Sequence, residues 1–567
     1  MNRLTFFRLF LISVVVFALM PRTFSQSTII PPANLEPPPW PEWVLRHWVW
    51  EHEEFTTNSA LALVRGYMER DIPVGATIID SAWETGYNTF EWNRTRYPDP
   101  PAMIDALHAM DIRIFLWITS MINPEAANYR YALEHNYLLN NGQTVRWWHG
   151  QGSFLDYTNP DAVTWWHGLM DNVLALGIDG WKTDGNDPLT YLLIIPVGYA
   201  GIVWPWQYSD YYYRDFYEYT RAQLGNDRVI MSRPVDSFQG LIHLPFAPRD
   251  VCHAGWVGDQ DATFAGLQVA LSNMFAAARM GYVNFGSDMA GYRGRGLRDR
   301  SLFLRWIQLG ALCPVMENGG NGEHRPWMYD EEVLRIYRQF VKLHHELIPY
   351  LYSEGASAYE RGAPLMQPQS GTWQYLLGRS IFVAAITEDA TRRTITLPPG
   401  EWIDFWNGDL YRGSSTIDYQ VPLDRYSIFF RSGDIIPLHV VDGSLGHGDE
   451  SSANFLTVLI NHPLQEASFD LYEEDSNGAT VRYRRDADAL TLEMSATNKN
   501  FLFLLRDDPR PADIVAEPGG RLPEQADRDA FNESDTGWLW DASRNELWIK
   551  PGLATYGLRL RLLSSRL

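Results

Sequence analysis

Residues 177–187 read "GIDGWKTDGND". Trp181 and Thr183 favour an extended chain, and the run Asp184-Gly185-Asn186-Asp187 then forces an abrupt change of direction. Taken alone, Asp184 is either a turn former or a reactive carboxylate at a strand end. Seven other runs share the texture of this one: "HWVW" (47–50), "PVGATIID" (73–80), "IRIFLWIT" (112–119), "RVIMSR" (228–233), "VCHAGWV" (251–257), "YVNFG" (282–286) and "ALCPVM" (311–316). Helical patterns stand between most of them, as in "NPDAVTWWHGLMDNVLAL" and "DATFAGLQVALSNMFAAARM". Proline in the first turn of "PDPPAMID" and the pair Asn159-Pro160 are helix openings. Eight strands alternating with helices predict a parallel sheet closed as a (β/α)₈ TIM barrel over residues 43–352. The unit between "RVIMSR" and "VCHAGWV" lacks a helical pattern.

Outward from the barrel the texture changes. After "DEEVLRIYRQFVKLHHELIPYLY" come alternating strands broken by Pro, Gly and Asn, with "DSNGA" as a turn, which predicts two all-β sandwich domains over 353–445 and 446–567. Upstream, residues 1–25 carry Arg3 and Arg8, an apolar run from Leu9 to Met20 and the small residues Thr23 and Ser25. This is the pattern of a secretory leader cleaved near Ser25/Gln26, so a secreted or periplasmic location is expected. The proline-rich stretch 26–42 reads as an extended linker. No second long apolar run follows, so no stable membrane anchor is expected.

Composition narrows the partners. At 567 residues the chain exceeds one core. A formal charge of −22 repels a phosphate backbone, which argues against nucleic acid. Aromatic residues make up 14 %, which suits the apolar C–H faces of sugars as well as large cores. Cys252 and Cys313 are the only cysteines, enough for one bridge or two buried thiols but not for a multi-cysteine metal site. No G-x-S-x-G, H-E-x-x-H or phosphate-cradling loop occurs. "LHHEL" (343–347) and "DSNG" (475–478) read as helix packing and a turn, not as metal sites. No metal or organic cofactor is expected.

Catalytic groups in such barrels come from the C-terminal ends of strands. Asp80, Asp184, Arg233, Asp259 and Asp288 each stand at the C-terminal end of one of the eight expected strands. Two carboxylates, one attacking and one donating a proton, are what cleavage of a glycosidic bond with retention requires, about 5 to 5.5 Å apart. Asp184 and Asp259 come from strands four and six, which can face each other across such a mouth. Lys182 shares the inward face with Asp184, two residues away. There it either holds Asp184 ionised or serves a structural ion pair in the barrel.

These segments resemble glycoside hydrolase family 31, which contains α-glucosidases, α-xylosidases and α-galactosidases. "GIDGWKTDGND" is similar to the family's nucleophile segment and "GWVGDQDATFAGL" to its acid/base segment. "IIDSAWETGYNTFEWNRTRYPDPPAMIDALHAMDIRIFLWI", "WHGQGSFLDYTNPDAVTWW", "VIMSRP", "SDMAGY", "RWIQLGALCPVM" and "LIPYLY" follow in the family's order, with "LPPGEWIDFWNGDLYRG" and "SIFFRSGDIIPL" downstream. The resemblance, from about Trp43 to about Tyr483, implies a retaining, exo-acting α-glycosidase. It implies Asp184 as nucleophile, Asp259 as acid/base, Asp80 on the hydroxyls of the bound sugar, Arg233 beside the nucleophile, and Trp148 and Trp256 as aromatic walls. Asp259 then needs a less solvated setting to keep its proton.

Three departures qualify that picture. Only a leader and a linker precede Trp43, where the family carries a β-sandwich. Gly319 stands where the family's histidine follows strand eight, so that His324 either replaces it or is a loop residue. "WKTD" is more like the xylosidase and galactosidase branches, which leans the sugar toward α-galactoside, with α-xyloside and α-glucoside open. An α-transglycosylase using the same carboxylates and a non-catalytic sugar-binding protein are the alternatives.

Overall fold

The computed structural model describes residues 31, 33–52, 55–81, 83–185, 195–238, 242–555 and 557–564. The leader and Asn186 and Asp187 of the opening stretch lie outside them. All eight expected strands form one parallel sheet: His47–Glu51, Ala76–Ile79, Arg113–Ile118, Gly180–Thr183, Val229–Ser232, Ala254–Val257, Phe285–Ser287 and Met316–Asn318. Neighbours in the sheet follow chain order from strand seven back to strand one, and strand eight lies beside strand one. Two hydrogen bonds join the remaining edges, from Val315 N–H to Phe285 O (3.3 Å) and from Met289 N–H to Glu317 O (3.2 Å). The ring is therefore closed.

Strands two, four, five and six are buried along their whole length, as expected of a parallel sheet covered on both faces. Asp99 and Asn159 cap the helices Pro100–His108 and Pro160–Leu174, accepting from Ala102 N–H (3.2 Å) and Asp161 N–H (3.0 Å). The unit without a helical pattern carries an antiparallel hairpin instead, Val235–Phe238 with Ile242–Pro245. Pro234, Pro245 and Pro248 within it exclude a continuous helix.

The two aspartates of "IDGWKTD" divide the fourth strand by function. Asp179 precedes the strand and is fully buried, accepting from His108 Nε2 (2.8 Å), Arg113 Nη1 (2.9 Å) and Ile114 N–H (2.9 Å). Burial alone would raise its pKa, but these partners hold the carboxyl below the usual range. A depressed pKa stabilises the fold fully at neutral pH, and that contribution fades as pH falls through the folded-state value. Asp179→Ala is expected to cost about 3 kcal/mol in denaturant unfolding at pH 7. A change within experimental error would show that the network holds nothing.

Beyond the barrel, one six-stranded sheet spans Met366–Pro368 to Ile428–Arg431, and five- and six-stranded sheets follow. Ile435–Leu438, upstream of Gly443, pairs with Leu456–Asn461 and so lies in the later group. Arg305, buried in the helix Arg300–Gly310, ties barrel to sheet by donating to Arg425 O (2.8 Å), Val421 O (2.5 Å) and Ala390 O (3.2 Å). Extended residues 33–40 lie against this body: Leu35 N–H donates to Asn477 O of the "DSNG" turn (2.8 Å), and Trp40 packs on His253 and Tyr359. Cys252 and Cys313 are separate buried thiols. His344 of "LHHEL" is buried in packing, its Nε2 against Leu45 O (2.5 Å), and His345 is half-buried, its Nε2 accepting from His47 N–H (3.2 Å). No helix among the described residues is long and apolar enough to cross a membrane.

Candidate active site

A cavity of about 510 Å³ opens at the C-terminal end of the barrel. Asp80, Trp148, Lys182, Asp184 and Asp259 line it, together with His52, Trp117, His149, Tyr292 and Arg293. Its size suits a ligand of one or two sugar rings.

One guanidinium organises the acidic groups. Arg233 Nε donates to Asp184 Oδ1 (3.0 Å), Nη2 to Asp259 Oδ1 (2.9 Å) and Nη1 to Asp236 Oδ2 (2.7 Å). Sharing one rigid fork confines the Asp184 and Asp259 oxygens to within about 8 Å of each other. Burial works against a charge on Asp184, but Arg233, Lys182 and a hydrogen bond from Trp117 Nε1 (3.2 Å) outweigh it and hold the carboxyl below the usual aspartate range. Asp259 does not occupy the less solvated setting expected of it. Its side chain is 39 % exposed against 14 % for Asp184. The reason is local: Asp259 lies two residues beyond its strand with φ of 65°, in the left-handed region, which carries the carboxylate to the mouth.

Beneath the cavity lies a second layer of charge. Lys182 Nζ sits 3.5 Å from the Trp50 ring centroid and 3.9 Å from Asp80 Oδ2. Burial would strip its proton, but Asp80, Asp288, Glu317 and Asp184 together raise its pKa and keep the ammonium charged. Lys182 thus takes both roles foreseen for it. Asp288 Oδ2 accepts from Asp259 N–H (2.8 Å) and so fixes the backbone of that residue. The Asp288 and Glu317 carboxyl groups are close enough for the charge of one to bear on the other, and Glu317 accepts from Trp50 Nε1. Burial and the Glu317 charge push Asp288 well above the usual range, and burial pushes Glu317 up to about 7. Burial therefore disfavours a second negative charge on this pair.

Two expected substrate contacts are differently placed. Trp256, 1 % exposed, offers no wall; its ring lies under Arg233 (4.9 Å) and Lys182 (5.1 Å) and steadies both cations. His324 does not line the cavity. It is buried in the loop after strand eight, against Asn318 Oδ1 (3.3 Å), Asn321 O (3.1 Å) and Arg298 Nη2 (3.1 Å), with burial lowering its pKa to about 3. A Cβ at Gly319 would meet the Trp50 ring at 2.2 Å, so that indole fills the space beside the glycine.

Sequence reasoning missed Trp50, His52, Tyr292, Asp236 and Glu317. Tyr292 Oη lies 3.1 Å from His52 Nδ1, which in turn is 3.6 Å from Asp80 Oδ2. His52 directly follows strand one, which is the signal that would have found it; Glu317 lies within strand eight and Asp236 within the hairpin after strand five.

The chain matches a known family. The model of the glycosyl hydrolases family 31 TIM-barrel domain matches residues 37–354, and that of the glycosyl hydrolase family 31 C-terminal domain matches residues 364–436. The chain belongs to glycosyl hydrolase family 31. It is 26 % identical over 515 residues to an isomaltosyltransferase of Sporosarcina globispora, covering 81 % of this chain and 45 % of that protein. With α-glucosidase 2 of Bacillus thermoamyloliquefaciens it shares 25 % over 478 residues (78 % and 59 % covered), and with α-xylosidase XylQ of Lactiplantibacillus pentosus 28 % over 397 residues (65 % and 50 %). The chain spans about half the length of these curated relatives. Among solved structures, the cycloalternan-forming enzyme from Listeria monocytogenes superposes with a TM-score of 0.82 at 21 % identity, over 94 % of this chain and 55 % of that one.

Proposed function

We propose that this chain is a retaining, exo-acting α-glycosidase. Asp184 attacks the anomeric carbon while Asp259 protonates the departing oxygen, leaving a β-glycosyl ester on Asp184; Asp259 then takes a proton from the water that displaces the sugar. The observation that carries this reading is the sharing of Arg233 by Asp184 and Asp259 over one cavity. Asp80 and Lys182 are the groups placed to bind sugar hydroxyls, and Trp148, 58 % exposed, the ring placed to cover a sugar face.

The "WKTD" segment leans toward α-galactoside, whereas the relatives above are named for α-glucosides, α-xylosides and isomaltosyl transfer. The test is release of p-nitrophenol from the α-glucoside, α-xyloside and α-galactoside by the folded protein, with Asp184→Ala as control. Turnover of one or more, absent in the control, supports the reading; no turnover together with tight sugar binding replaces it with a non-catalytic role. Transfer is the second reading, favoured by the similarity to an isomaltosyltransferase over 81 % of the chain. Product analysis with an acceptor sugar separates transfer from hydrolysis. We further propose export with cleavage near Gln26, which N-terminal sequencing of the mature protein checks.

The buried acid pair sets its own expectation. Asparagine at 288 keeps an oxygen to accept from Asp259 N–H and adds no second negative charge beside Glu317, as a protonated aspartate would. Asp288→Asn should therefore keep kcat/KM within about five-fold of the parent, while Asp288→Ala loses about 100-fold. Equal losses in steady-state assays of the two variants would mean that Asp288 works as an anion.

A further inference from the structure

Trp148, Trp204 and Trp206 are the exposed tryptophans among the described residues, and all three stand in the segments that follow the C-terminal ends of strands three and four. Trp148 follows strand three and faces the cavity. Trp204 and Trp206 follow strand four, the strand that carries Asp184, and open the helix Pro205–Leu224. They are 50 % and 68 % exposed, and their rings are parallel within 1° at a centroid separation of 5.4 Å. Exposing two large apolar rings side by side has a hydrophobic cost that packing inward would have avoided.

The pair is held rather than loose. Pro205 between the two tryptophans restricts the backbone, and Gln207 Oε1 accepts from Trp204 N–H (2.9 Å). The preceding hairpin, Val197–Gly198 with Gly201–Ile202, is tied to the segment between strands three and four that bears Trp148 and His149. Val197 N–H donates to Asn140 Oδ1 (2.6 Å) and Tyr199 N–H to Asp156 Oδ2 (2.6 Å). The platform and the cavity wall are thus one connected rim.

We propose that Trp204 and Trp206 form an outer binding site for a neutral saccharide chain, taking the sugars that extend beyond the one held between Asp184 and Asp259. This rests on the glycosidase reading above. The chemistry is that of flat aromatic faces against the apolar C–H face of a pyranose. The ligand is uncharged because the stretch "IPVGYAGIVWPWQYS" (195–209) has no Asp, Glu, Lys or Arg, in a chain where such residues make up 20 %. A net charge of −22 disfavours an anionic bilayer as the occupant.

The test compares the parent with Trp204→Ala/Trp206→Ala, both checked for equal melting temperature. On the p-nitrophenyl monosaccharide glycoside that the parent cleaves, kcat/KM should stay within about two-fold; on α-linked oligosaccharides of four to seven units KM should rise about ten-fold with kcat little changed. Calorimetric titration of Asp184→Asn with the same oligosaccharides should show the same loss of affinity in the triple variant. That arm reads the platform even if no glycoside in the panel is turned over, so failure of this proposal and failure of the catalytic reading are distinguishable. Unchanged affinity and unchanged KM for the long substrates would overturn the proposal. So would a double variant that keeps its saccharide binding but loses self-association or binding to lipid vesicles.

Discussion

Asp184→Ala should lower kcat on the preferred glycoside by roughly 10⁴-fold or more, with little change in the affinity for its product sugar. Without Asp184 the ester cannot form, and no neighbouring group takes its place: Asp259 faces the leaving oxygen in the proposed mechanism, and Asp80 is engaged by Lys182 (3.9 Å) and His52 (3.6 Å). Because Arg233, Lys182 and Trp117 hold the Asp184 carboxyl low against the opposing effect of burial, the acid limb of kcat/KM in the parent should fall below the usual aspartate range. Activity is lost as pH drops through that value, since protonation removes the attacking anion. Sodium azide added to the alanine variant should restore turnover and yield the β-glycosyl azide, by a single inversion. Residual activity above about one per cent, free of parent contamination, would show that the nucleophile lies elsewhere.

Asp259→Ala should have an effect that depends on the leaving group. An oligosaccharide departs only with a proton, so kcat/KM on such substrates should fall by about 10³-fold or more, whereas p-nitrophenolate leaves unaided and its glycoside should be affected far less in the first step. The covalent intermediate then waits for a water that no base activates. A burst of p-nitrophenol followed by slow turnover is expected in stopped-flow traces, and azide should accelerate the slow phase to give the α-glycosyl azide. A loss of the same size on both classes of substrate would remove Asp259 from the role of proton donor. Arg233 is expected to lose its neatly divided contacts in this variant, yet its bonds to Asp184 and Asp236 remain to position it.

Much of this site could be read along the chain because a barrel places its chemistry at strand ends. Short apolar runs marked all eight strands, and the residue directly after four of them pointed to Asp80, Asp184, Arg233 and Asp288, which the fold gathers in and beneath one cavity. What periodicity does not encode is which side chains meet across the ring. That Trp50 of strand one occupies the space beside Gly319 depends on the adjacency of strands one and eight, and so His324 stood as a candidate for a place that an indole fills. Trp256 was expected as a wall because the family resemblance implies one, but its position within strand six buries it under two cations. Burial was also the wrong guide for Asp259, since a single left-handed residue after the strand turns the carboxylate outward. The hairpin in the fifth unit was signalled only negatively, by the prolines that break a helix.

The most direct test of the paired carboxylates is to trap the glycosyl-enzyme. A fluorinated glycosyl fluoride of the preferred sugar forms the ester quickly and releases it slowly, and peptide mass spectrometry of the digested adduct locates the bond. One sugar per chain on Asp184, within the peptide that contains "WKTD", is the expected result. An adduct on another carboxylate, or full turnover of the reagent with inverted product and no adduct, would contradict it.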